Sequence, residues 1–113
     1  QQKRETTSKQ IVKEAKEYIL ENYTNAELSL EVICRYLHLS PAYFSSLFKK
    51  ETGQTYINYL TDIRLNKAVE LLSTTDEKTY MIAEKVGYLE QNYFSYVFKK
   101  KFGVSPTKYR TGK

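Results

Sequence analysis

The sequence predicts an all-α fold of seven helices on three observations. No segment alternates apolar with polar residues in a β-branched run, so nothing reads as strand. Apolar residues recur instead at spacings of three and four, the signature of helices that each bury one face. The third observation is a repeat. Tyr43-Phe44-Ser45-Ser46-Leu47-Phe48-Lys49-Lys50-Glu51-Thr52-Gly53 returns as Tyr93-Phe94-Ser95-Tyr96-Val97-Phe98-Lys99-Lys100-Lys101-Phe102-Gly103, with seven of eleven positions identical. Each copy follows a short helix and ends at Gly, so a single two-helix unit is used twice.

The elements follow in order. Ile11, Val12, Ala15, Ile19 and Tyr23 place a first amphipathic helix over roughly Ser8 to Tyr23. Ser29 is positioned as the N-cap of a second, two-turn helix carrying Ile33, Cys34 and Leu37. His38-Leu39 forms a tight turn. Ser40-Pro41 then starts a third helix, because serine can satisfy an orphan N–H and proline fits the first helical position; Gly53 ends it. Thr55 caps a long fourth helix to about Leu72, with Leu60, Ile63, Ala68, Leu71 and Leu72 on its apolar face. After the polar stretch Ser73 to Lys78 the pattern restarts. Ile82, Ala83 and Val86 repeat Ile33, Cys34 and Leu37 in a fifth helix. The second turn is one residue longer, a sixth helix covers about Gln91 to Phe102, and Ser105-Pro106 starts a seventh through Tyr109. In domain terms, residues 1–8 read as the remnant of a linker, 9–54 as a first unit, 55–74 as a connecting helix and 75–113 as a second unit.

Composition narrows the function. Eighteen Lys and Arg against thirteen Asp and Glu leave a formal charge of +5, which favours a polyanionic partner. One cysteine rules out an intrachain disulfide framework, and no apolar run is long enough to span a bilayer. No secretory signal is visible, so a cytoplasmic location is expected, without a membrane partner. The chain begins at Gln1 with a polar lead, which suggests a fragment of a longer protein. No nucleophile, base and orienting group fall into a catalytic constellation, so the chain reads as a non-enzyme with no cofactor. His38 has no second histidine or nearby cysteine with which to bind a metal, and Cys34 reads as a small core residue.

The repeated helices carry the chemistry. On a helical wheel Phe44, Leu47 and Phe48 share one face, with Ala42, Ser45, Ser46 and Lys49 opposite; in the second copy Phe94, Val97 and Phe98 point inward, leaving Asn92, Ser95, Tyr96 and Lys99 outward, with Gln91 at the helix start. The aromatics read as core. The outward face is small and polar at its N-terminal end and basic at its C-terminal end. A helix built this way suits the DNA major groove: amides and hydroxyls reach base edges while lysines meet phosphate. Gln91 and Asn92 are the strongest base readers, since an amide pairs bidentately with adenine. Lys49, Lys50, Lys99, Lys100, Lys101, Lys108, Arg110 and Lys113 are candidate phosphate contacts.

These residues bring a family into view. Leu39-Ser40-Pro41-x-Tyr43-Phe44-Ser45-x-Leu47-Phe48-Lys49, then Arg64, Ala68 and Leu71-Leu72, then Ile82-Ala83-x-x-Val86-Gly87-Tyr88, and Tyr93-Phe94-Ser95-x-Val97-Phe98-Lys99-Lys100-x-Phe102-Gly103-x-Ser105-Pro106-x-x-Tyr109-Arg110 resemble, over nearly the whole chain, the DNA-binding domain of AraC/XylS-family transcription regulators. The resemblance implies two helix-turn-helix units joined by the long fourth helix, with the third and sixth helices entering successive major grooves of double-stranded DNA. It is nearest to the output domains of YesN-type two-component response regulators, which implies an upstream receiver or sensor domain; RNA polymerase is a further candidate partner. The family's base-contacting positions fall on Ala42, Ser45 and Ser46, and on Gln91, Asn92, Ser95 and Tyr96. The family often has Arg where Ser46 and Tyr96 stand, an apolar residue at Thr79, and Ser or Asp at Glu90. Arg64 is expected to tie the two units together through a salt bridge.

Two rival readings differ in what they bind. A helical protein-interaction module would suit eleven tyrosines and predicts no salt-dependent DNA binding. An RNA-binding helical domain would stack exposed aromatics, chiefly Tyr96, on unpaired bases.

Overall fold

The computed structural model describes residues 2–112, with side chains described for residues 7–112. Among these residues the chain forms seven helices and no strand: α1 (Gln2–Asn22), α2 (Leu30–Leu37), α3 (Pro41–Thr52), α4 (Tyr56–Thr74), α5 (Thr79–Lys85), α6 (Gln91–Phe102) and α7 (Pro106–Thr111). α1 begins well before Ser8, so residues read as a linker remnant are its first turns. Nothing in that polar lead opposes a helix, since it contains neither Gly nor Pro. Lys113 lies outside the described residues.

Contacts divide the chain into two compact units. The first runs from α1 to Asp62 except for residues 24–26; the second comprises residues 24–26 and everything from Ile63. The boundary falls inside α4 rather than at its ends, because the helix supplies each unit with its own apolar residues. Tyr56 and Leu60 are buried in the first, and Leu65, Ala68 and Leu72 in the second.

In the first unit α1 packs on α2 and α3, and α2 on α3. Val12, Ala15 and Ile19 bury the inner stripe of α1, while Ile33 and Cys34 do so for α2. Phe44 and Phe48 are fully buried, 5.5 Å apart between ring centroids, and Phe48 meets Tyr59 edge-on at 5.3 Å. Complete burial of such a side chain contributes about 1.5–3 kcal/mol. Three hydroxyls start helices here: Ser29 Oγ accepts from Val32 N at 3.2 Å, Ser40 Oγ from Tyr43 N at 3.2 Å, and Thr55 Oγ1 from Asn58 N at 3.1 Å.

The second unit repeats this plan with different end chemistry. α5 packs on α6 and α6 on α7. Phe94 and Phe98 are fully buried 5.8 Å apart, and Phe98 meets Tyr109 edge-on at 5.7 Å. Val97, expected inward, is half-buried against this core. Neither Lys78 before α5 nor Glu90 before α6 makes a side-chain cap bond, whereas Ser105 Oγ accepts from Lys108 N at 3.1 Å. Arg64 is buried, donates to the Asn25 carbonyl at 2.9 Å and lies 5.3 Å from the Tyr88 ring centroid, so these contacts fasten parts of the second unit to one another.

The two turns share one closing bond and differ in length. Leu39 N donates to Cys34 O at 3.0 Å, as Tyr88 N donates to Ala83 O at 2.8 Å. That six-residue closure needs a left-handed residue just before the donor. Gly87 fills the position in the second turn with φ 105°, but His38 fills it in the first with φ 60°. The extra residue of the second turn is Leu89, which is left highly exposed.

Candidate nucleic-acid interface

α3 is pinned from behind by Phe44, Leu47 and Phe48, all buried. Pro41, Ala42, Tyr43, Ser45, Ser46, Lys49 and Lys50 are left exposed. α6 is pinned by Phe94 and Phe98, leaving Gln91, Asn92, Tyr96, Lys99, Lys100 and Lys101 exposed and Ser95 half-buried. Both helices end at a glycine in the left-handed region, Gly53 at φ 83° and Gly103 at φ 85°, just beyond their lysines. Because the inward positions match between copies, so do the outward ones. Each helix offers neutral groups in its first turns and cations in its last.

The end chemistry makes the two faces unequal. On α3 the neutral groups are a methyl and two hydroxyls, and Ser45 and Ser46 also border an open, largely apolar cleft of about 780 Å³ with Leu28, Leu30, Tyr56 and Ile57. On α6 two carboxamides open the helix, and Tyr96 stands clear of it with its ring 6.4 Å from that of Tyr93. Gln91 is held at its tip: Nε2 donates to Thr79 Oγ1 at 3.1 Å. In the sequence Thr79 stands out only as a departure from an apolar packing position, since nothing local says that the start of α5 meets the start of α6.

The basic residues divide as well. Lys49, Lys50, Lys99, Lys100, Lys101 and Lys108 are exposed. The Lys101 Nζ itself lies 5.6 Å from the Phe102 ring centroid, so the ammonium rests over the face of the neighbouring aromatic. Arg110, expected on phosphate, has another task. Its guanidinium donates to the carbonyls of Leu72 at 3.2 Å, Thr75 at 3.0 Å and Glu77. With Nε and both terminal nitrogens turned onto backbone, Arg110 ties α7 to the segment that ends α4, and we remove it from the phosphate set.

Among the described residues no helix is long and apolar enough to cross a membrane, and no cluster of His, Cys, Asp and Glu is arranged to hold a metal ion.

Residues 33–112 match the helix-turn-helix domain family. The C-terminal domain of AraT, a response regulator from Geobacillus stearothermophilus, superposes with a TM-score of 0.89 at 45% identity, covering 91% of this chain and 85% of that one. The C-terminal domain of the two-component response regulator YesN from Fusobacterium nucleatum superposes at 0.85 with 41% identity, covering 87% and 95%. The arabinose operon regulatory protein of Escherichia coli K12 is 35% identical over 101 residues, which are 89% of this chain and 35% of the regulator. The chain thus spans about a third of that curated relative. Matching family, matching folds at high identity and the twice-used unit agree, and the chain belongs to the helix-turn-helix domain family, in its AraC type.

Proposed function

We propose that this domain binds double-stranded DNA sequence-specifically and serves as the output domain of a transcription regulator, with α3 and α6 entering successive major grooves. One observation carries the reading: α3 and α6 present the same graded face, neutral at the start and cationic at the end, above the same buried aromatic pair. A helix that inserts its first turns meets base edges there, while lysines near its end lie beside the backbone. The base-reading set is Ala42, Ser45 and Ser46 on α3 and Gln91, Asn92, Ser95 and Tyr96 on α6. The phosphate set is Lys49, Lys50, Lys99, Lys100, Lys101 and Lys108. α6 dominates specificity, since its carboxamides can pair bidentately with adenine and α3 has only short groups. Action in the cytoplasm, control by an upstream receiver or sensor domain, and contact with RNA polymerase complete the reading; the likeness to response-regulator C-terminal domains supports the receiver.

The test is selection from randomised duplexes followed by titration of the selected and a scrambled site. Gln91→Ala and Asn92→Ala should each cost about 1–3 kcal/mol on the selected site, and Ser45→Ala or Ser46→Ala less. Equal losses on both sites would remove these residues from base reading. Failure to bind any duplex at low salt would favour the protein-interaction module.

A further inference from the structure

We infer that Thr79 sets the specificity of this domain by holding the Gln91 carboxamide in the orientation that reads adenine. The inference rests on the DNA-binding reading and goes beyond it, because Thr79 is not itself placed on a base.

A glutamine side chain has two Nε2 protons and one Oε1. Bidentate pairing with adenine uses Oε1 and the proton on the same side as Oε1, the oxygen accepting from N6 and the proton going to N7. The second Nε2 proton points away from the base and needs another acceptor. Thr79 Oγ1 accepts from Nε2 at 3.1 Å, and taking that second proton would leave Oε1 and the other proton for the base. Its position is well determined: Thr79 is half-buried in the first residue of α5, and a β-branched side chain has few χ1 choices. Gln91 is exposed and has three side-chain torsions of its own. Anchoring its tip before DNA arrives removes part of the ordering cost of binding.

The internal repeat supplies an independent observation. At the offsets that align the two copies, Thr79 corresponds to Leu30 and Gln91 to Pro41. Neither member of the first pair has a side-chain polar group. Both ends of the link are therefore present in the second copy and both are missing from the first, as expected of two residues that work together.

The experiment compares this chain with Thr79→Val, Thr79→Ser, Gln91→Ala and the Thr79→Val/Gln91→Ala double variant on the selected and scrambled duplexes. Thr79→Val should weaken binding to the selected duplex by about two- to tenfold, the ordering of one long side chain, and leave the scrambled duplex unaffected. Thr79→Ser should restore it. In the Gln91→Ala background Thr79→Val should have no further effect. Should Gln91→Ala abolish the preference while Thr79→Val leaves it intact, or should Thr79→Val still act without Gln91, the positioning role is overturned and the base-reading role of Gln91 stands. If Gln91→Ala leaves the preference unchanged, the assignment of Gln91 as a reader has failed and the present inference with it. NMR of the free domain decides independently of any variant's folding: the Gln91 side-chain couplings should report one dominant rotamer, which Thr79→Ser keeps. Torsionally averaged couplings in the unsubstituted chain would overturn the proposal.

Discussion

The Arg110 guanidinium, on α7, donates through Nε to the carbonyl of Leu72 near the end of α4, 3.2 Å away. The last carbonyls of a helix have no intrahelical partner, and Leu72 belongs to that set. The same side chain reaches Thr75 and Glu77 in the following loop, so one residue closes the end of a helix 38 positions earlier. A lysine could not span three carbonyls. Arg110→Lys should lower stability by about 2–3 kcal/mol, the value of charged hydrogen bonds left unmade. Denaturant unfolding checks this, and the salt dependence of DNA binding should not change. A lower salt slope at unaltered stability would return Arg110 to the phosphate set.

The six exposed lysines of the phosphate set define the electrostatic contribution. If four to six phosphates are neutralised, log Kobs should fall with log salt at a slope of about −3.5 to −5.5. Replacing Lys99 or Lys100 with Gln should reduce the magnitude by about 0.9 each, equally on selected and scrambled duplexes. Fluorescence anisotropy across a salt series measures both.

α4 is continuous from Tyr56 to Thr74, while its contacts change unit between Asp62 and Ile63. An insertion meant to disturb the two readers without unfolding either unit belongs at that boundary. Placed beyond it, an insertion would separate Leu65 from Ala68 and Leu72 within one core. Two alanines between Asp62 and Ile63 should rotate one half of the helix by about 200° and shift it about 3 Å. Site-specific binding should collapse while non-specific binding survives at low salt. An unchanged footprint would mean that only one helix-turn-helix unit reads DNA.

Cys34 is almost fully buried, and burial pushes its thiol pKa above the ordinary value because the apolar surroundings disfavour thiolate. A thiol with a raised folded pKa favours folding fully below its unfolded pKa. That contribution is lost as pH rises from the unfolded pKa towards the folded one, since only the unfolded chain ionises in that window. Stability should therefore fall on the alkaline side through this term, and Cys34→Ala should remove the term at some cost in packing. Native-state alkylation should track unfolding across a denaturant series. Rapid labelling under native conditions would show that the first core opens locally.

The sequence by itself determined where helices start and stop and which face each one buries, because those features depend on neighbours three or four residues away. Ser29, Ser40, Thr55 and Ser105 act as the caps they were read to be, and Gly53 and Gly103 end α3 and α6. The buried Phe44 and Phe48, with Phe94 and Phe98, follow from the same periodicity. Helix ends without a strong signal were less legible. α1 starts earlier than Ser8, since its polar lead contains neither Gly nor Pro to break a helix, and the cap-type residues Thr6, Thr7 and Ser8 do not oblige one to begin there.

Only the tertiary structure decided how polar side chains that local pattern leaves open are used. Along the chain Arg110 is one more tail cation and Thr79 a polar residue at a packing position; in the fold Arg110 meets the carbonyls of Leu72, Thr75 and Glu77, and Thr79 meets Gln91. The division of α4 between two cores was hidden for the same reason, as Leu60 and Leu65 look alike along the helix but face different units. A hydrogen bond needs its partner within about 3 Å, and for these residues the partner lies 12 to 38 positions away in the chain. Folding brings such atoms together, and no periodicity of three or four encodes it.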